Sequence, residues 1–172
     1  MIEELVVLVD GDDVEHGVAP KGAVHRTGER HRAVSVFLFD GRGRTLLQRR
    51  ADGKYHSPGL WSNTCCGHPR PGESAMDAAQ RRLREEMGIE CALTHVTTFE
   101  YRADVGGGLL EHEVDHVFRG TFTGTPTPDA SEVGSWAWLD MGALHDDCIA
   151  NPGRYSAWLP LALARLSKRL LA

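Results

Sequence analysis

Apolar residues along the chain fall in short runs broken by Gly, Pro, Asn and Asp. ELVVLV (residues 4–9) predicts a first strand closed by the acidic turn at 10–13, and RAVSVFLFD (32–40), rich in β-branched and aromatic residues, predicts a second ending at DGRGR. TLLQRR (45–50) completes a hairpin, and LWSNTC (60–65) reads as a further strand that delivers Cys65 and Cys66 to its end. THVTTFEYRA (94–103) and LLEHEVDHVFRGTF (109–122) follow as strands around a glycine tip at 106–108, then SWAWLD (135–140). The period changes in AMDAAQRRLREEM (75–87), where Met76, Ala79, Leu83 and Met87 recur at helical spacing, with Ser74 as N-cap and Gly88 as C-terminal stop. A second helix is expected over about the last fifteen residues. The order predicts a mixed α/β fold with helices packed on sheets, without repeats or low-complexity segments.

Composition narrows the class. A chain of 172 residues, 41% apolar and 25% charged, fits one domain with a sizeable core. The net charge of -5 is interspersed along the chain, so neither a nucleic-acid stripe nor a polybasic membrane segment is expected. The start is acidic where a secretory signal is basic, and its apolar run is too short to span, which predicts a cytosolic protein. Cys65, Cys66, Cys91 and Cys148 have no disulfide-framework spacing and are expected as reduced thiols.

Candidate chemistry concentrates in a few places. Alternation along LLEHEVDHV sends Glu111, Glu113 and Asp115 to one strand face and His112 to the other, which fits a solvated edge strand or a metal or acid/base pair. His68 sits on the loop NTCCGHPRPGE, while His25 and His31 flank the strand that begins at Arg32. Neutral imidazoles with carboxylates suit a divalent first-row metal, although spacing alone does not bring them together. Arg81 with Glu85 and Arg82 with Glu86 have the spacing of ordinary surface helix pairs. Lys21, Arg49, Arg50 and Lys54 form a loose basic group suited to phosphate oxygens or to solvent.

From Gly67 the chain reads Gly, five residues, Glu73, seven residues, then Arg81-Arg82-Leu83-Arg84-Glu85-Glu86-Met87-Gly88-Ile89. This resembles the Nudix box, a loop-helix-loop signature. The resemblance implies an α/β/α sandwich with a mixed sheet, a diphosphate-containing substrate and divalent metals. Nudix hydrolases carry a glutamate where this chain has Arg82, which counts against hydrolysis. HRAVSVFLF, LLQRRADGKY, PGLWSNTCCGHP, RRL, EMGI, YRA, EHEV and YSAW are similar instead to the type 1 isopentenyl-diphosphate isomerases, a branch of the Nudix superfamily, over about residues 21 to 158.

That resemblance implies a single isomerase domain over 1–172 with its core at about 30–165, an extra N-terminal strand or lid segment, and a C-terminal helix. It places the catalytic cysteine on Cys66, the catalytic carboxylate on Glu113, and pocket aromatics on Tyr101 and Trp158. A tightly bound ion (Mn²⁺, Mg²⁺ or Zn²⁺) is implied at His25, His31, His68, Glu111 and Glu113, with a substrate-linked Mg²⁺ at Glu86. Lys21, Arg50, Lys54 and Arg82 match diphosphate-facing positions. A small-molecule diphosphate is the expected partner and a monomer the expected state. A diphosphohydrolase with an altered box ranks second and a non-catalytic binding module third.

Overall fold

The nine residues of β3 (His31–Phe39) form the axis of the fold. Val34, Val36 and Leu38 point to one side and Phe37 to the other, all 0–1% exposed, so a single alternating strand seeds two cores. The computed structural model describes residues 3–170, with side chains from residue 3 to residue 166; the first two residues of the expected domain and the last two of the expected C-terminal helix lie outside this range.

The N-terminal segment folds as a hairpin, β1 (Leu5–Val9) and β2 (Glu15–Pro20), followed by the short α1 (Lys21–Thr27). After β3 come β4 (Arg44–Arg50), β5 (Trp61–Ser62), β6 (Cys65–Gly67) and α2 (Ala75–Met87). The long pair β7 (Leu93–Gly106) and β8 (Leu109–Thr121) precedes β9 (Val133–Asp140), α3 (Met141–Ala150), a 3-10 turn at Pro152–Arg154, and α4 (Leu159–Leu170). β8 runs parallel to β3 and antiparallel to β7, while β6 pairs with β3, and β9 and β5 with β4. The sheet is therefore mixed. The core holding Leu83 and Met87 of α2 lies on one side and that holding Leu144 of α3 and Leu159 and Leu163 of α4 on the other, which makes the expected α/β/α sandwich.

Local signals explain where the sequence pattern succeeds. Ser74 Oγ accepts the Asp77 N–H at 3.1 Å, and Gly88 closes α2 in the left-handed conformation (φ 64°). They also explain the departures. Residues 60–65 are not one strand: Asn63 and Thr64 interrupt it, because their side chains take over the pairing. Thr64 Oγ donates to Leu46 O (2.7 Å) and accepts from Leu38 N–H (2.9 Å), while Asn63 Nδ2 donates to Val36 O (3.1 Å). β2, α1 and α3 carry no clear period; α1 has seven residues, and α3 buries only Leu144 and Cys148. The acidic strand is not a solvated edge: β8 lies between β3 and β7, with Glu111, Glu113 and Asp115 at 4%, 6% and 1% exposure. The N-terminal hairpin is docked, with Leu8 paired to His31 and with Val7 and Val9 packed on Val114.

Candidate active site

Strand register assembles the centre. Glu113 on β8 stands opposite His31 across the parallel pair with β3 and opposite Tyr101 across the antiparallel pair with β7. Tyr101 Oη lies 2.6 Å from Glu113 Oε2 and 2.8 Å from Glu111 Oε2, bridging the two carboxyls. His68 comes from the loop after β6, its Nε2 3.0 Å from Glu113 Oε1. That loop is held by Arg81, which donates to Glu73 (2.7 and 2.8 Å), to Glu85 (3.0 Å) and to the His68 carbonyl (3.1 Å), so Arg81 is more than a surface helix pair.

Ligand atoms of His25, His31, His68 and Glu113 all lie within 4.8 Å of one another, and all four residues are buried. Glu111 joins a second such group with His25 and His56. The five residues implied as ligands thus come together as two overlapping groups that share His25, to which the structure adds His56.

These residues suit a divalent ion. The Glu29 carbonyl only accepts, so His31 Nδ1, 2.9 Å away, carries a proton, which leaves Nε2 aimed at Glu113 Oε1 at 3.4 Å. A divalent ion placed between them would take both atoms as ligands. His25 Nε2 and His31 Nε2 are both buried without a hydrogen-bond partner. Burial, reinforced by neighbouring imidazoles, pushes His25 down to about 3, and burial pushes His68 down to about 4 against the pull of Glu113. At neutral pH these two rings therefore offer lone pairs rather than charge. Burial acts to raise Glu113 as well, yet the imidazoles of His31 and His68 hold it well below the usual carboxylate range; burial and the Glu113 charge hold Glu111 well above it.

A cavity opens beside this cluster, lined by Cys66, His68, Tyr101, Glu111, Glu113 and Trp158 together with Lys21, Arg50, Lys54, Arg82 and Glu86. Cys65 and Cys66 point to opposite sides of β6: Cys65 belongs to the α2 core, whereas Cys66 packs on the α4 side and reaches the cavity. Burial, with the charges of Glu86 and Asp115, pushes the Cys66 thiol up to about 12, so it keeps its proton at neutral pH. Asp115 lies behind it, receiving the Ser35 hydroxyl at 2.7 Å, and is pushed up to about 8 by burial and by Glu113.

The basic group divides by strand alternation. Arg50 turns inward, 8% exposed and 5.3 Å from the Trp158 ring centre, while Arg49 turns outward to Asp52 and does not line the cavity. Three cavity cations are already paired: Lys21 with Glu4 at 2.9 Å, Lys54 with Glu132, and Arg82 with Glu86 and Glu132. The Arg82–Glu86 pair therefore faces the cavity, with Gln48 Nε2 donating to Glu86 at 2.6 Å. Sequence reasoning missed Tyr55, His56, Asn63 and Glu132. Their only signal is nearness to Lys54, to Cys66 or to the strand at 133, and no period marks them.

Comparison with known proteins identifies the family. Residues 29–159 match the NUDIX domain. Isopentenyl-diphosphate Delta-isomerase 2 of Aromatoleum aromaticum is 52% identical over 165 residues, which cover 96% of this chain and 87% of that protein. The isopentenyl-diphosphate Delta-isomerase of Serratia proteamaculans is 50% identical over 157 residues, 91% and 88% of the two chains. The crystal structure of DR0079 from Deinococcus radiodurans shares the fold with a TM-score of 0.79 at 19% identity, over 94% of this chain and 98% of that one. The chain belongs to the Nudix family and, within it, to the isopentenyl-diphosphate Delta-isomerases.

Proposed function

We propose that the chain, acting as a single-domain cytoplasmic monomer, converts isopentenyl diphosphate to dimethylallyl diphosphate. The reaction adds a proton at C4, passes through a tertiary cation at C3 and removes a proton at C2. Two proton carriers that reach one enclosed hydrocarbon tail are the minimum machinery. Cys66 and Glu113 are the two carriers, and substrate and product, being isomers, leave the proton count unchanged. The observation that supports this reading is that the Cys66 thiol and the Glu113 carboxyl line the same cavity as the Trp158 indole and four basic side chains.

Lys21, Arg50, Lys54 and Arg82 bind the diphosphate, which exchanges places with the carboxylates of Glu4 and Glu132 that now pair with three of them. Tyr101 orients Glu113 through its hydroxyl. Trp158 closes the apolar side; a ring face offers a cation about 0.5–2 kcal/mol. That is far short of the roughly 8 kcal/mol or more expected of an enzyme, so proton transfer carries the acceleration. Glu86 would hold Mg²⁺ delivered with the substrate, and His25, His31, His68, Glu111 and Glu113 a tightly bound divalent ion. Positive charge there would make a proton on Glu113 more acidic. A diphosphohydrolase is disfavoured by Arg82, whose guanidinium stands beside Glu86 where those enzymes carry a glutamate.

Incubation with isopentenyl diphosphate and Mg²⁺ in D₂O is expected to yield deuterated dimethylallyl diphosphate without phosphate release. Phosphate release without isomerisation would instead establish the hydrolase. His68→Ala is expected to lower the metal content found by elemental analysis, and an unchanged content would remove His68 from the ligand set.

Gly67 tests the diphosphate end. A Cβ there would come within 2.5–3.0 Å of Arg82 Cγ, Cδ and Nε, and Arg82 is held at its tip by Glu85 (2.8 Å) and Glu86. Losing one charged hydrogen bond of about 1.5–3 kcal/mol corresponds to a fall of about tenfold or more in affinity. Gly67→Ala is thus expected to raise KM with little change in kcat, and calorimetry with inorganic pyrophosphate reads the same loss. Unaltered pyrophosphate affinity would exclude Arg82 from the diphosphate seat.

A further inference from the structure

The two-residue break between β5 and β6 has a consequence for the reacting groups. Asn63 is fully buried, and its Nδ2 donates to Cys65 O at 2.8 Å and Val36 O at 3.1 Å. Both partners are carbonyls, which only accept, so the amide orientation is settled and Oδ1 must face the other way. There it meets three donors: the Ser62 hydroxyl at 2.9 Å, the Cys66 thiol at 3.1 Å and the Trp158 indole N–H at 3.1 Å. Ser62 has an alternative in Ser156 Oγ at 3.0 Å, and the thiol's other contact, Ser35 Oγ, is at 3.8 Å. The indole N–H can only donate, and Asn63 Oδ1 is its hydrogen-bond partner.

We propose that Asn63 is a positioning residue of the isomerase site, one amide oxygen fixing the Cys66 thiol and the Trp158 indole relative to each other. Cys66 is three residues from Asn63 and Trp158 is 95 residues away, so this oxygen ties the thiol-bearing strand to the residue before α4, and both tied side chains line the cavity. The amide acts through its neighbours and does not line the cavity itself. Without the acceptor, the thiol keeps only the long Ser35 contact and can turn about its Cα–Cβ bond. The indole then loses its partner in a buried place. Displacement of a reacting atom by about 1 Å costs about 10²-fold in rate. The loss should fall chiefly on kcat, because Asn63 has no hydrogen bond to Lys21, Arg50, Lys54 or Arg82, and of these only Arg50 meets the Trp158 ring that Asn63 holds. The inference rests on Cys66 being a proton carrier, as proposed above.

The test reads the thiol directly. In the infrared difference between wild type and Cys66→Ser, the other three free thiols cancel, and the S–H stretch of Cys66 is expected below the frequency of a free thiol. A free-thiol frequency in the wild type overturns the proposal. In Asn63→Ser the band is expected to move up and kcat to fall about 10²-fold, with KM and bound metal little changed. A loss confined to KM, or an unmoved band, overturns it. Should Asn63→Ser fail to fold, Trp158→Phe serves: it removes one competing donor, so the S–H band is expected to move down, and a stationary band refutes the shared acceptor. Full turnover in Cys66→Ala would refute the role of the thiol in the reaction while leaving the hydrogen-bond reading to the spectra.

Discussion

Cys66→Ala loses about 10³-fold or more in kcat while keeping fold and metal, whereas Cys65→Ala remains within a few-fold of wild type. The contrast comes from one residue of strand period. The Cys66 side chain reaches the cavity that holds Glu113, and no other thiol lines it, so removing it takes away a proton carrier with no substitute. Cys65 is fully buried against Leu83 and Met87, and trimming it should cost stability of about 1 kcal/mol with no effect on chemistry. Steady-state turnover of isopentenyl diphosphate, with thermal melts of both variants, separates the two effects. Near-equal activity in the two variants would contradict the assignment of the sulfur.

Glu113→Gln is expected to fall at least as far, for two reasons that one experiment resolves. The variant removes a carboxyl that must carry a proton, and it removes the one carboxylate charge from the group formed with His25, His31 and His68. The fold should survive, because Gln Oε1 can still accept from His68 at the 3.0 Å position, while its amide nitrogen replaces the oxygen beside Tyr101 and can donate to the phenol oxygen. Turnover should drop by about 10³-fold or more, and bound metal should fall below one equivalent. A variant that keeps a full equivalent of metal yet is inactive would assign Glu113 to proton transfer alone. A variant that stays active would end its candidacy as a carrier.

The second experiment bears on how far the pattern of residues can be read without coordinates. The faces of β8 were legible, because a period of two is a property of the strand itself and needs no partner. Whether that acidic face met water or the interior was not legible. Pairing with β3 lies about eighty residues away in sequence, and it is this pairing that buries Glu113 beside His31. The same holds for the basic group: Arg49 and Arg50 look alike in the sequence, and only the placement of β4 decides which one meets Trp158.

The box-like segment from Gly67 to Ile89 was legible for local reasons. Its helix is capped by Ser74 and Gly88 and carries its own apolar stripe, while Arg81 and Glu73 lie within one loop-helix unit. Tyr55, His56 and Asn63 were opaque, because their roles depend on groups 30, 55 and 95 residues distant. Residues 60–65 were misread as one strand because Asn63 and Thr64 replace ladder bonds with side-chain bonds, a choice that exists only once β3 and β4 are in place.

By itself the sequence determined the helix of the box, the strand faces and the residue types of the chemistry, all governed by interactions within a few residues. Tertiary structure alone decided which histidines meet, which acids are buried and which of two adjacent thiols faces the cavity. Those outcomes depend on long-range register and on desolvation, and neither exists until the sheet has closed.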